Sequence, residues 1–190
     1  MKRHFLETKR LWLVSLEETD APMLLQYFLD NQDFLQAWEP AKEADFYTEG
    51  SMVNQIAADR KDILEGRGVR LWITLKDKPD QVIGSVALSN IVMGPFQSCF
   101  MGYRLDHRHV GQGLMTEALQ KLVDFGFDRI GLHRIEANIM PVNKPSIRVV
   151  QRLGFEYEGT SRKYLKINGQ WEDHMHMVLL NEAMEKRRKT

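Results

Sequence analysis

The chain of 190 residues has one cysteine, Cys99, so it forms no internal disulfide and fits a reducing compartment, which points to the cytoplasm. It has no run of about 18 apolar residues, so no membrane-spanning helix is expected. Its first 14 residues carry basic charge but not the apolar stretch of a signal peptide. It has no net charge, with 26 Lys and Arg against 26 Asp and Glu, which argues against a uniformly basic partner of nucleic acid. It also lacks internal repeats, low-complexity segments and long linkers. The chain as a whole is 43% hydrophobic and 27% charged, enough apolar material for a sizeable core. The length predicts a single domain over residues 1–184, followed by a basic, polar tail at 185–190 that is expected to fray.

The zero charge is a sum of unlike parts. Residues 17–65 hold twelve acidic and three basic residues, whereas residues 104–152 hold eight basic and five acidic ones. Two readings follow: solvated helix faces, or a divided surface with an acidic part for a basic partner and a basic part for an anionic one.

Apolar periodicity predicts strands at 10–16, 69–75, 81–90, 98–105, 134–140, 156–167 and 170–180. The last two flank Asn168-Gly169, a two-residue hairpin signal. The stretch 76–80, with Pro79, reads as a turn. Helices are predicted from Asp20-Ala-Pro onward, at 51–64, at 114–128 and at 145–153, with Asp20 and Asn143 as candidate caps. The aromatic stretch 31–47 reads as a loop. The order indicates an α/β fold: a mixed, mostly antiparallel seven-stranded sheet with about four helices.

The chemistry is concentrated in Arg108-His-Val-Gly111-Gln-Gly113-Leu-Met-Thr116, between a strand and a helix. Glycines let successive N–H groups converge, and the helix N-terminus adds positive potential, so the loop suits a phosphate or pyrophosphate. The dinucleotide fingerprint fails because position 116 is threonine and the loop follows an antiparallel meander. The nucleotide-triphosphate loop fails because no Gly-Lys-Ser/Thr follows. His107 with His109, and His174 with His176, have same-face spacing but no third ligand, so no metal is expected.

Arg108-x-x-Gly111-x-Gly113 resembles the pyrophosphate loop of the GNAT acetyltransferase superfamily. VGQGLMTEAL (110–119), HRIEANIMPVNKPSIRVVQRLGF (133–155), SNIVMGPFQSCFMGYRL (89–105), YLKINGQWEDH (164–174) and AWEP (37–40) are similar to its RimJ-type ribosomal-protein alanine N-acetyltransferases.

The resemblance implies a GNAT-like fold and transfer of acetyl from acetyl-CoA to a primary amine, most closely the N-terminal α-amine of a ribosomal protein. It implies that the N–H groups of Val110, Gly111, Gln112, Gly113, Leu114 and Met115 hold the pyrophosphate. Leu105 would pair with the pantetheine arm and Asn143 would hydrogen-bond it. Arg108, Lys144 or Arg148 would meet the 3′-phosphate. Val150 stands where many members have a tyrosine, which leaves Ser146 as the donor to the leaving thiolate. Cys99 and Phe100 stand where many have a basic glutamate, so Glu136, Glu39 or a water is left to take the amine proton. Trp38 and Glu39 are expected near the acceptor; Phe34, Trp38, Phe46 and Tyr47 read either as the lining of its entrance or as core aromatics that anchor a loop. The chain is expected to be a monomer or homodimer, without direct contact to nucleic acid or membrane. A small-amine acetyltransferase, a silent CoA-binding module and a nucleotide-binding oxidoreductase stay open as alternatives.

Overall fold

A computed structural model of the chain describes residues 3–187. Its strands are β1 (Arg3–Glu7), β2 (Leu11–Ser15), β3 (Val69–Leu75), β4 (Lys78–Val92), β5 (Ser98–Leu105), β6 (Arg134–Ile139), β7 (Glu156–Ile167) and β8 (Gln170–Leu180). Its helices are α1 (Ala21–Gln36), α2 (Glu49–Leu64), α3 (Leu114–Phe125), α4 (Lys144–Arg152) and α5 (Glu182–Arg187). One sheet of eight strands runs β1-β2-β3-β4-β5-β6-β8-β7, and every neighbouring pair is antiparallel except β5 with β6.

Period-two alternation decides which helices cover which face. On β3, Leu71 and Ile73 point into a core shared with Leu114, Ala118 and Leu122 of α3 and Ile147 and Val150 of α4. Trp72, between them, points the other way, into a core with Leu24, Tyr27 and Phe28 of α1 and Met52 and Ile56 of α2. The sheet is therefore the middle of three layers.

The mixed α/β sheet appears as expected, but with eight strands and five helices rather than seven and about four. The short, charged β1, whose only apolar residues are Phe5 and Leu6, gives too weak a pattern to read. Pro79 lies inside β4, and the turn is Lys76-Asp77. The helical residues beyond Asn31, expected as loop, extend α1 to Gln36. Asn31 is fully buried, and its Nδ2 donates to Tyr27 O (2.9 Å) and to Asp106 Oδ2 (3.1 Å). That tertiary partner outweighs the local preference of asparagine for turns. Asp20 does not cap α1; its carboxylate accepts from the Glu17 N–H (3.0 Å). Asn143 does cap α4, accepting from the Ser146 N–H (3.2 Å). Of the tail at 185–190, residues 185–187 fall in α5 and 188–190 lie outside the described residues.

Gly84 of β4 lies against the end of β5, opposite Leu105, where a Cβ would overlap the carbonyl oxygen of Arg104 and come within 3.2 Å of the Leu105 Cα. Neither obstacle is a side chain that can rotate away. Gly84→Ala is expected to destabilise the protein by about 1–3 kcal/mol in urea unfolding. Wild-type stability in that variant would contradict the close approach.

Candidate active site

The parallel pairing of β5 and β6 is short. Ser98, Cys99 and Phe100 face Arg134, Ile135 and Glu136, and the two strands then part. The Asp106 N–H bonds Ile83 O, so alternate residues of β5 bond β4 and those between them, Met101, Tyr103 and Leu105, turn their main-chain groups away from β4. On β6 the Asn181 N–H bonds His133 O, and the same alternation turns the main chain of Glu136 and Asn138 toward β5. Beyond Phe100 and Glu136 these edges face a cleft of about 460 Å³ that passes between the strands. A buried row of unpaired backbone groups is costly unless something polar lies along it. The cleft therefore suits an extended ligand with amide groups.

At one end the cleft meets Val110, Gly111 and Met115. Gly111 (φ 79°) and Gly113 (φ 72°) take left-handed conformations, which bend the loop into a concavity. Gly113 is the N-cap of α3 and has no side chain to cap with; the first helical bond runs from Glu117 N to Gly113 O (3.1 Å). The N–H groups of Leu114, Met115 and Thr116 precede that bond and have no acceptor within the helix. This is a donor-rich nest at a helix N-terminus, the arrangement that holds pyrophosphate. Of the expected loop residues, Val110, Gly111 and Met115 border the cleft. Leu114 is buried in the core, and Gln112 gives its carbonyl to Arg10 Nη1 (3.0 Å).

The loop is held from beneath by Asp106, which is fully buried. Its carboxylate accepts from the Arg108 N–H (2.8 Å), Arg108 Nη2 (2.6 Å), Asn31 Nδ2 (3.1 Å) and His109 Nδ1 (3.3 Å). Burial alone raises the pKa of such a group, but these donors outweigh it and hold Asp106 well below the usual carboxylate range. Arg108 is thereby committed: it also pairs with Asp30 (3.0 Å). Lys144 and Arg148 are exposed.

The middle of the cleft holds Tyr103, Leu105, Asn143 and Ser146. Tyr103 Oη and Ser146 Oγ lie 2.5 Å apart, and Tyr103 Oη is 3.0 Å from Ser146 O. Burial pushes the Tyr103 phenol up to about 12, against a smaller lowering from Ser146, so the pair keeps its protons at neutral pH. Tyr103 is the residue that sequence reasoning missed. The signal was available, since Met101, Tyr103 and Leu105 share a strand face. Cys99 is buried, and burial pushes its thiol up to about 12, so it is inert.

The far wall carries Trp38, Glu39, Lys42, Arg70, Arg104 and His174. Glu39 Oε2 lies 3.1 Å from Arg104 Nη1 and 3.8 Å from Lys42 Nζ. Glu136 lies off the cleft lining. It is bound by Arg134 (2.8 Å) and by His176 Nδ1 (2.7 Å), and His176 Nε2 meets Ser161 Oγ (2.7 Å). Burial presses the Glu136 pKa upward, but His176 and Arg134 prevail and hold it low, as an occupied carboxylate. Among the described residues, no group of three His, Cys, Asp or Glu could hold a metal ion, and no helix is long and apolar enough to cross a membrane.

The acetyltransferase (GNAT) domain family matches residues 10–156. The "Probable N-acetyltransferase YjcK" of Bacillus subtilis is 39% identical over 93% of this chain and 97% of its own length. The "[Ribosomal protein uS5]-alanine N-acetyltransferase" of Escherichia coli is 37% identical over 90% of this chain and 87% of its own. The solved structure of Mycobacterium smegmatis RimJ in complex with CoA-disulfide superposes with a TM-score of 0.85 at 29% identity, covering 92% of this chain and 83% of that one.

Asp106→Asn removes the charge on which the loop depends. It is expected to cost about 3–5 kcal/mol at pH 7 in urea unfolding, because the buried partners lose their compensation. The folded-state pKa is depressed, so the Asp106 contribution is full above the unfolded value of about 4 and is lost as pH falls from there through the folded pKa. The gap between wild type and variant should therefore hold above about pH 4 and shrink steadily below it. A constant gap down to pH 2 would contradict the assignment.

Proposed function

The chain belongs to the GNAT acetyltransferase family, and on that footing we propose that it passes acetyl from acetyl-CoA to the N-terminal α-amine of a ribosomal protein. The carrying observation is the opening between β5 and β6, with a donor nest at one end and the Tyr103–Ser146 hydroxyl pair at its middle. The E. coli relative, named for an alanine of ribosomal protein uS5, supports the choice of acceptor, and the M. smegmatis structure supports CoA as the donor's carrier. The reducing compartment implied by a single buried Cys99 supports a cytoplasmic site of action.

Acetyl-CoA supplies a thioester whose carbonyl carbon an amine attacks directly, with the C–S bond breaking as the C–N bond forms. The nest from Val110 to Met115 would hold its pyrophosphate, and the main chain of Leu105 and Tyr103 its arm. An N–H on that edge would also polarise the carbonyl oxygen. Asn143 uses Oδ1 to cap α4, which leaves its Nδ2 for the arm. When Tyr103 donates to Ser146 Oγ, the Ser146 hydroxyl proton is free to meet the leaving thiolate. An α-amine has a pKa of about 8, so a modest acceptor of its proton suffices. Glu39 borders the cleft and Glu136 does not, which favours Glu39 or a water it orients.

Ser146→Ala and Tyr103→Phe should each slow acetyl transfer by about tenfold to a hundredfold while leaving acetyl-CoA affinity unchanged. Unchanged turnover in both would remove the pair from the mechanism. In thermal denaturation acetyl-CoA should raise Tm and NAD should not. An alanine-starting ribosomal peptide should release thiol faster than spermidine does; the reverse order would move the acceptor to small amines.

A further inference from the structure

Arg70 is a cation on the cleft wall that the transfer chemistry leaves unused. It stands where the cleft meets a second cavity, of about 420 Å³, that continues over β3 and β4; Arg70, Ala87 and Ser89 border both. Only small residues lie between it and the β5 edge. Its β4 partner is Ala87, whose β5 partner is Gly102, so nothing taller than a methyl group stands on that row.

The charges around it do not close. Arg70 Nε lies 3.1 Å from Asp59 Oδ1, buried but out of line for a hydrogen bond. Asp59 is also claimed by Gln55 Nε2 (2.8 Å) and by Trp72 Nε1 (3.2 Å). Glu39, the other carboxylate on this wall, is shared by Arg104 and Lys42. Three cations thus converge on two carboxylates that are both engaged, and among the described residues no acceptor meets the Nη groups of Arg70. Burial and the nearby Arg104 charge press the Arg70 pKa down, and burial does the same to Lys42. An arriving anion relieves both, and a guanidinium fork is shaped for carboxylate.

We propose that Arg70 and Lys42 form a carboxylate subsite, so that the preferred acceptor carries a carboxylate within one residue of the amine that is acetylated. The proposal rests on the acetyl-transfer reading above and narrows it. The rest of the acceptor is free to be basic, since Asp33, Glu43, Asp45 and Glu49 are exposed outside the cleft.

The test compares acceptors on the intact protein with acetyl-CoA: a peptide beginning Ala-Asp against the same peptide beginning Ala-Asn, and free alanine against alaninamide. The first pair presents a side-chain carboxylate and the second a main-chain one, so together they identify the source. The carboxylate member of at least one pair should be preferred by about tenfold in kcat/KM, through KM. Arg70→Gln should bring that ratio close to one, and Lys42→Gln, in an exposed loop, should reduce it. The ratio is taken within each variant, so a general loss of stability does not alter it. Equal rates within both pairs, or a ratio unchanged in both variants, overturn the subsite while leaving acetyl transfer standing. Failure to acetylate any of the four acceptors or spermidine overturns the transfer reading itself, and the subsite with it.

Discussion

Everything distinctive in this fold depends on a parallel pairing that stops after three residues. Had β5 and β6 stayed paired to their ends, the sheet would be a closed wall between α1–α2 and α3–α4. Because they part beyond Phe100 and Glu136, two edges of main-chain donors and acceptors face each other across a gap. The gap joins the two faces of the sheet. One face presents the nest at the start of α3, and the other presents the charged wall of Glu39, Arg70 and Arg104. An extended thioester can enter from the first and an amine from the second, meeting where Tyr103 and Ser146 stand.

The loop that follows β5 is held in place by polar anchors. Asp106 ends β5 and ties the loop to α1 through Asn31, while the Asn31 Oδ1 accepts from the His107 N–H (3.0 Å). Glu117 in the first turn of α3 accepts from Thr8 (2.6 Å), the Arg10 N–H (2.8 Å) and Arg10 Nε (2.7 Å), and Arg10 reaches on to the Gln112 carbonyl. The loop is thus fixed from both sides before any ligand arrives, which lowers the ordering cost of binding. The zero net charge is built from such pairs. Asp30, Glu39 and Asp59 of the acidic early segment are partnered by Arg108, Arg104 and Arg70 from elsewhere. The divided surface, one of the two readings of the sequence, is therefore partly cancelled inside the molecule, while Asp33, Glu43, Asp45 and Glu49 stay exposed.

Most strands were legible because period-two alternation survives wherever one face is buried: 69–75, 98–105, 156–167 and 170–180 match to the residue. The glycine loop was legible because its local spacing alone creates the nest. What escaped notice depends on contacts distant in sequence. The helix beyond Asn31 is held by Asp106, 75 residues away. Tyr103 gains its meaning only from Ser146, 43 residues away. Glu136 reads as a free carboxylate on a strand face until His176, 40 residues away, is brought beside it. Pairings of that kind leave no periodic trace.

The most direct test of this account is a crystal structure of the protein with CoA. The account predicts the pantetheine arm lying between the edges of β5 and β6, bonded to the main chain of Leu105 or Tyr103. It predicts the pyrophosphate on the N–H groups from Val110 to Met115 and the sulfur within hydrogen-bonding reach of Ser146 Oγ. CoA bound elsewhere, or a sulfur remote from both Ser146 and Tyr103, would contradict it.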